Sequence, residues 1–281
     1  MSARQRKFLR WLSLLAALFA FGLVMFGAFV RLSNAGLSCP DWPTCYGQVT
    51  WPQHAQAVAH ADAAFPDRPY EAHKAWREQV HRFLAGTLGV LVLVLALAAA
   101  WRDRRVRAMV VVGAACAAVG VTMYMRGEHV FSSVLAGVAI AAPLSGAWRL
   151  GGSGARRISV LAFAVIVFQA MLGMWTVTLL LKPVVVTSHL LGGMLTFGLL
   201  SYVALRFAGV AAPDQHLAAL RTLVVAGVVL LACQIALGGW TSSNYAALAC
   251  GYGPARSRNA WASGRRRRTS MKVSSCGAAL A

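Results

Sequence analysis

Residues 11–32 read WLSLLAALFAFGLVMFGAFVRL, and the first twenty of them carry no charge. At about 1.5 Å per residue a helix of that length crosses about 30 Å, the thickness of a bilayer's hydrocarbon core. A basic start precedes the run, with Arg4, Arg6, Lys7 and Arg10. A cleavable signal peptide has a shorter apolar core, of about 7–15 residues, and a small-residue cleavage site. The segment is therefore expected to stay in place as a helix, with the N-terminus in the cytoplasm. Runs of the same kind recur at 83–100, 108–125, 130–148, 158–181, 184–205 and 222–243. Only helices and closed barrels satisfy their backbone in lipid, and the period-2 alternation of a barrel is absent. The expected fold class is all-α, a polytopic membrane helical bundle of seven transmembrane helices.

Composition agrees. Of 281 residues 58% are hydrophobic and 12% charged, with a mean hydropathy of +0.61. The formal charge of +19 is large enough to raise nucleic acid as a partner. The cationic residues, however, sit in short clusters between apolar runs, which is the positive-inside pattern. The expected partner is the lipid bilayer, and nucleic acid is not one. Arg102, Arg104, Arg105 and Arg107 form one cluster, Arg149, Arg156 and Arg157 another, and Arg206 and Arg221 flank a third. All fall on the side of the N-terminus, so all are expected in the cytoplasm, for a multi-pass protein of a bacterial inner membrane. Residues 33–80 then lie outside, with Asp41, Asp62, Asp67, Glu71 and Glu78 among them.

Two internal repeats are visible. Gln169-Ala-Met-Leu-Gly-Met-Trp-Thr176 returns as Gln234-Ile-Ala-Leu-Gly-Gly-Trp-Thr241, and residues 27–39 align without gaps on 238–250, cysteine on cysteine. Duplication of a helical unit explains both better than shared apolar composition does. After Cys250 the hydrophobic pattern stops, and residues 251–281 hold seven basic residues and no acid. Position 256, where the repeat puts the counterpart of Cys45, is Arg256. The expected organisation is a first bundle at 1–206 with an extra helix pair at about 108–148, the start of a second at 207–250, and a basic tail at 251–281. That tail reads either as out-of-frame translation, leaving the second bundle truncated, or as a disordered basic extension.

Ionisable residues within membrane spans are functional candidates because lipid makes them costly. His81 lies at the outer mouth of the second span, and His189 about 8 Å into the span that starts at 184. Both spans run from outside to inside, so the two imidazoles share a depth, as axial ligands of one haem would; each alone would read as a packed, hydrogen-bonded histidine. Gly86, Gly89, Gly192 and Gly193 beside them leave room for a flat macrocycle or serve close helix packing. Glu78, three residues before His81, falls on the same helical face. It is either a solvated acid or a carboxylate that orients the imidazole or shuttles protons. Arg82 is placed to meet a haem propionate or to snorkel to the headgroups. Cys39 and Cys45 sit in the outer segment, an oxidising compartment where a disulfide leads; a zinc site drawing on His54, His60 or His73 is the alternative. Cys116 and Cys233, single cysteines in apolar spans, read as packing residues.

The run Arg31-Leu-Ser-Asn-Ala-Gly-Leu-Ser-Cys-Pro-Asp-Trp-Pro-Thr-Cys45 resembles the haem A synthases. So do Glu78…His81-Arg-Phe-Leu-Ala-Gly-Thr87, the stretch from Gly173 to His189, and Gln234…Trp240…Cys250. The resemblance covers about residues 8–101 and 158–250. It implies two similar four-helix bundles, the first holding the substrate haem O between His81 and His189. It further implies catalysis at Glu78, a Cys39–Cys45 disulfide, and haem b as electron-transfer cofactor in the second bundle. The reaction would oxidise a haem methyl group to the formyl group of haem A for cytochrome c oxidase assembly, with haem O synthase and assembly factors as partners. A rival from another class is a catalytically silent haem carrier; a transporter would need broken helix pairs that are not seen. The sequence departs from the family at 109–148, two added spans that preserve orientation and carry His129 at an exposed outer turn. It departs again in having no histidine after His216, so the second-bundle haem ligands are not present and the haem b site is missing. A homo-oligomer would be one source of a second histidine pair.

Overall fold

The structure, a computed structural model, describes residues 2–150, 154–210 and 218–244. It contains α1 (Ala3–Leu32), α2 (Ala55–Ala64), α3 (Ala72–Ala99), α4 (Arg104–Met125), α5 (His129–Arg149), α6 (Ala155–Thr178), α7 (Pro183–Ala208) and α8 (Ala218–Ser243). All but α2 are long and apolar enough to cross a membrane, so the protein is a polytopic helical bundle. The ends follow local chemistry. Ser2 caps α1 by accepting from the Gln5 N–H at 3.2 Å, and Asp103 caps α4 by accepting from Val106 at 3.0 Å. Pro183 opens α7, where its missing N–H costs nothing, and Gly209, at φ +88, closes it.

Four helices form a ring in the order α1, α3, α6, α7, each touching the next and antiparallel to it; α3 and α7 face each other diagonally without contact. The ring therefore has one end at the basic loops and one at residues 33–71. At the basic end the Gln5 side chain donates to the Ala98 carbonyl (3.3 Å) and Arg156 Nε to Ala99 (2.8 Å), tying α1 and α6 to the end of α3. The extra pair, α4 and α5, packs as a hairpin outside the ring against α6 and α3, and among the described residues α8 packs chiefly on α7. Arg31 reaches from the end of α1 to the Ser242 carbonyl at 2.6 Å. Among the described residues Cys116 is half-buried and Cys233, on α8, is exposed. The expectations for Cys250 and the tail at 251–281 fall outside the described residues.

Two features differ from a reading by hydropathy alone. A short helix, α2, lies in the outer segment, and α3 starts eleven residues before its apolar run, at Ala72. Residues 72–82 thus continue the span as one rigid rod, carrying Glu78, Gln79, His81 and Arg82 on it.

Lipid tails are as apolar as leucine, so helices here associate through close packing of small residues. Gly113 of α4 meets Pro143 and the Ala139 carbonyl of α5 so closely that a Cβ there would stand 2.9 Å from the proline Cδ and 3.0 Å from that oxygen. Pro143 has no N–H to give Ala139, and its ring needs space; the glycine supplies it. Gly113→Leu should force the hairpin apart and destabilise it by about 1–3 kcal/mol. Faster proteolysis between α4 and α5 in detergent, with the ring still protected, is the expected readout; unchanged cleavage would refute it.

Candidate functional site

The main hydrophobic cluster of the ring lies in its basic half: Leu9, Ala16 and Ala20 of α1, Val92 and Leu95 of α3, Val160 and Phe163 of α6, Leu200 and Val203 of α7. The half nearer residues 33–71 is packed differently. Among the described residues, every buried side-chain nitrogen or oxygen without a hydrogen-bond partner belongs to it: Arg77 Nε, both amide atoms of Gln169, Thr187 Oγ1 and His189 Nδ1. Native interiors leave few such atoms, and lipid supplies no water to satisfy them. Thr187 Oγ1 lies toward Gly239 of α8, and Arg77, Gln169 and His189 belong to the ring helices α3, α6 and α7.

His81 of α3 and His189 of α7 stand there, half-buried, on the two diagonal helices. Each ring rests on a glycine of the neighbouring helix. A Cβ at Gly27 of α1 would lie 2.9 Å from His81 Nε2, and one at Gly173 of α6 would lie 3.4 Å from His189 Cε1 and 3.9 Å from its Nε2. Phe26 stacks against His81 with centroids 6.3 Å apart and planes 18° from parallel. The Gln169 backbone carbonyl lies beside the His189 imidazole. Of the expected small residues, Gly86 and Gly89 face open space; the niche at Gly192 is instead filled by the Gln169 carboxamide, and a Cβ at Gly193 would stand 4.0 Å from Val24 Cγ2. His129 is exposed, against Tyr124.

Sequence reasoning missed Gly27 and Gly173 as seats, although the signal was present. The two repeats together place Gly27, Gly173 and Gly238 at equivalent positions. The first two each carry a histidine of the pair. Gly238, on α8, has nothing within 4 Å among the described residues.

Glu78 is 5% exposed, which removes the solvated-acid reading. Its carboxylate accepts from Arg82 Nη2 (2.6 Å), the Cys39 N–H (2.9 Å) and the Ser38 hydroxyl (3.1 Å). Arg82 Nη1 donates to the carbonyls of Asp41 (2.8 Å) and Thr44 (2.7 Å), and the Gln79 amide to Val49 (2.6 Å) and Pro43 (3.3 Å). One helical turn of α3 therefore clamps residues 38–49. Within that segment Cys39 and Cys45 are joined in a disulfide, and the Asp41 carboxylate gathers Thr44, Tyr46 and Gly47. Tyr46 packs edge-on against Phe65 and Tyr70; burial, with Asp62 adding, pushes its phenol up to about 12. No group of three or more His, Cys, Asp or Glu residues able to hold a metal ion occurs among the described residues, and His54 and His60 are exposed near this cap. Arg77, one turn before His81, lies over Phe29 at 5.0 Å and Trp76 at 5.6 Å.

A family model described as cytochrome oxidase assembly protein matches residues 10–130 and 128–272; the second match runs past Cys250. The heme A synthase of Shewanella oneidensis is 36% identical over 244 residues, 86% of this chain and 59% of that protein. That of Allorhizobium ampelinum is 33% identical over 116 residues, 37% of this chain and 31% of that protein; that of Lysinibacillus sphaericus is 30% identical over 92 residues, 33% and 23%. The chain thus spans about three-fifths of the first relative's length. No solved structure matches significantly.

Removing one member of a buried ion pair leaves the other uncompensated, at a cost of about 3–5 kcal/mol. Arg82→Ala should therefore release residues 38–49 from α3. Limited proteolysis without reductant should cut the variant in that segment several-fold faster than the unaltered protein, and equal rates would refute the clamp.

Proposed function

The chain belongs to the COX15-CtaA family of cytochrome oxidase assembly proteins, and on that premise we propose that it is an oxidoreductase of the haem A synthase type, whose substrate is haem O. The observation that carries the proposal is the imidazole pair on diagonal helices, in the half of the ring that holds the unpartnered buried side-chain atoms found among the described residues. Two histidines facing across a bundle suit bis-histidine ligation of a haem iron. The glycine beneath each ring lets it lie close to the neighbouring helix, and a second contact, Phe26 on His81, fixes its plane.

Written with water as the oxygen source, conversion of the methyl group is R–CH3 + H2O → R–CHO + 4 H+ + 4 e−. The protein must then orient the ring, exclude bulk water, accept protons and pass electrons on. The disulfide-braced cap over the open end suits the second task. For the third, Glu78 is the nearest candidate, three residues from His81, with its carboxylate committed to three donors. Proton transfer there requires one of those donors to give way. The α8 helix, which the repeat aligns with α1 and α6, carries no histidine, as those two carry none; α8 therefore offers haem b no ligand, and no step runs through it. In this reading the basic end faces the cytoplasm of a bacterial inner membrane and the cap faces outward. Haem O synthase would supply the substrate, and oxidase assembly factors would receive the product.

The commitment of Glu78 favours one rival, a haem carrier without chemistry. Chromatography of haem bound to the purified full chain decides between them. Haem A or a hydroxylated intermediate supports the enzyme; haem O or haem b alone supports the carrier.

His81→Ala and His189→Ala are each expected to abolish the low-spin bis-histidine absorption spectrum, and Gly27→Leu, which crowds His81 Nε2, to weaken it. An unchanged spectrum in both histidine variants would refute the ligation.

Glu78→Gln keeps the size of the side chain and an acceptor for Cys39. Haem content close to that of the unaltered protein, with formyl production lost, is expected in a strain lacking its own haem A synthase. Loss of haem with this change would show that Glu78 only supports the ligand.

A further inference from the structure

Gln169 is 7% exposed, and both atoms of its carboxamide are buried without a partner. The group occupies the niche left by the missing side chain of Gly192, where a Cβ would collide with it. Gln169 lies one turn before Gly173 on α6, and Gly192 about one turn beyond His189 on α7. The carboxamide therefore sits about 5 Å deeper in the bundle than the His189 imidazole. Arg77 is placed oppositely, one turn nearer the cap than His81, with its guanidinium over two aromatic rings and its Nε buried and unpartnered. One unused cationic donor thus stands on the cap side of the imidazole pair, and one unused amide stands on the deep side.

A porphyrin held between His81 and His189 has a matching polarity. Its two propionates are charged and belong at the end nearer water. On the edge away from them haem O carries the hydroxyl group of its hydroxyfarnesylethyl chain, where haem b has only a vinyl group. Of the substituents on that deep edge, the hydroxyl alone can satisfy an amide. Both amide atoms are unpartnered without an occupant, so haem O gains a hydrogen bond there that an occupant lacking the hydroxyl does not.

We propose that Arg77 and Gln169 orient the substrate edgewise, Arg77 pairing with a propionate and the Gln169 carboxamide hydrogen-bonding the side-chain hydroxyl of haem O. Gln169 is then a specificity-determining residue that separates haem O from haem b. The proposal rests on the reading that haem O lies between His81 and His189.

The test is titration of the purified full chain in detergent with haem O and with haem b, followed by Soret absorbance. Gln169→Leu should weaken haem O binding about tenfold, the worth of one buried hydrogen bond, and leave haem b binding and the low-spin spectrum unchanged. The farnesyl chain contributes equally to both proteins, so the change in ratio reports the hydroxyl. Gly192→Ala, which displaces the carboxamide but keeps it in the chain, should move the ratio in the same direction and serves if Gln169→Leu does not accumulate. Arg77→Gln should weaken both haems alike, by about tenfold, since both carry propionates. An equal loss for both haems in Gln169→Leu, or no loss for either, would reduce Gln169 to a packing residue and overturn the proposal. Failure of the unaltered chain to take up either haem, or full binding by His81→Ala and His189→Ala, would instead overturn the ligation reading beneath it.

Discussion

Inside a bilayer, burying leucine against leucine gains little over leaving it in lipid, so this ring of helices is held by close approach rather than by withdrawal from water. Its basic half does so with Ala16, Ala17 and Ala20 on α1 and Ala96 and Ala99 on α3, packed around Val92, Leu95, Val160 and Leu200. The cost of that arrangement is rigidity at one end. The outward faces stay apolar and uncovered, as Leu18 at 63% and Met25 at 59% exposure illustrate.

The open half is finished by a different chemistry. Where α3 leaves the apolar run it continues as the helical turn holding Glu78, Gln79 and Arg82, whose polar atoms meet backbone groups of residues 38–49. A buried pair such as Glu78 and Arg82 contributes little by mere attraction, since desolvation offsets it. Here each member also satisfies loop N–H or carbonyl groups that would otherwise lie buried without partners. The disulfide keeps that loop short and in register. The cap and His81 are therefore held on one rod: moving α3 moves both.

The repeated glycine connects duplication with chemistry. A helix carrying a large side chain at position 27 or 173 would push the facing imidazole away, so the glycine and the histidine across from it function as a unit. The histidines themselves are not in the repeat, being on α3 and α7, while the glycines are on α1 and α6. What recurs along the chain is the glycine surface, and at positions 27 and 173 a histidine of α3 or α7 lies against it.

The apolar runs determined the seven spans by themselves, because no other structure satisfies a backbone in lipid, and spans alternate direction automatically. The matched depth of His81 and His189 was legible for the same reason: depth is distance along a helix from a boundary that hydropathy marks. The pairing of Cys39 with Cys45 was legible from the loop they share. Hydropathy could not say that α3 begins at Ala72, since a helix above the membrane needs no apolar residues, nor that α2 exists. Which face of each helix turns inward depends on packing between segments far apart in sequence, such as Gly27 with His81 or Gln169 with Gly192. Only the tertiary structure therefore showed that Glu78 is clamped rather than solvated, that Arg82 is engaged with the cap, and that Arg77 and Gln169 are left with polar groups unspent.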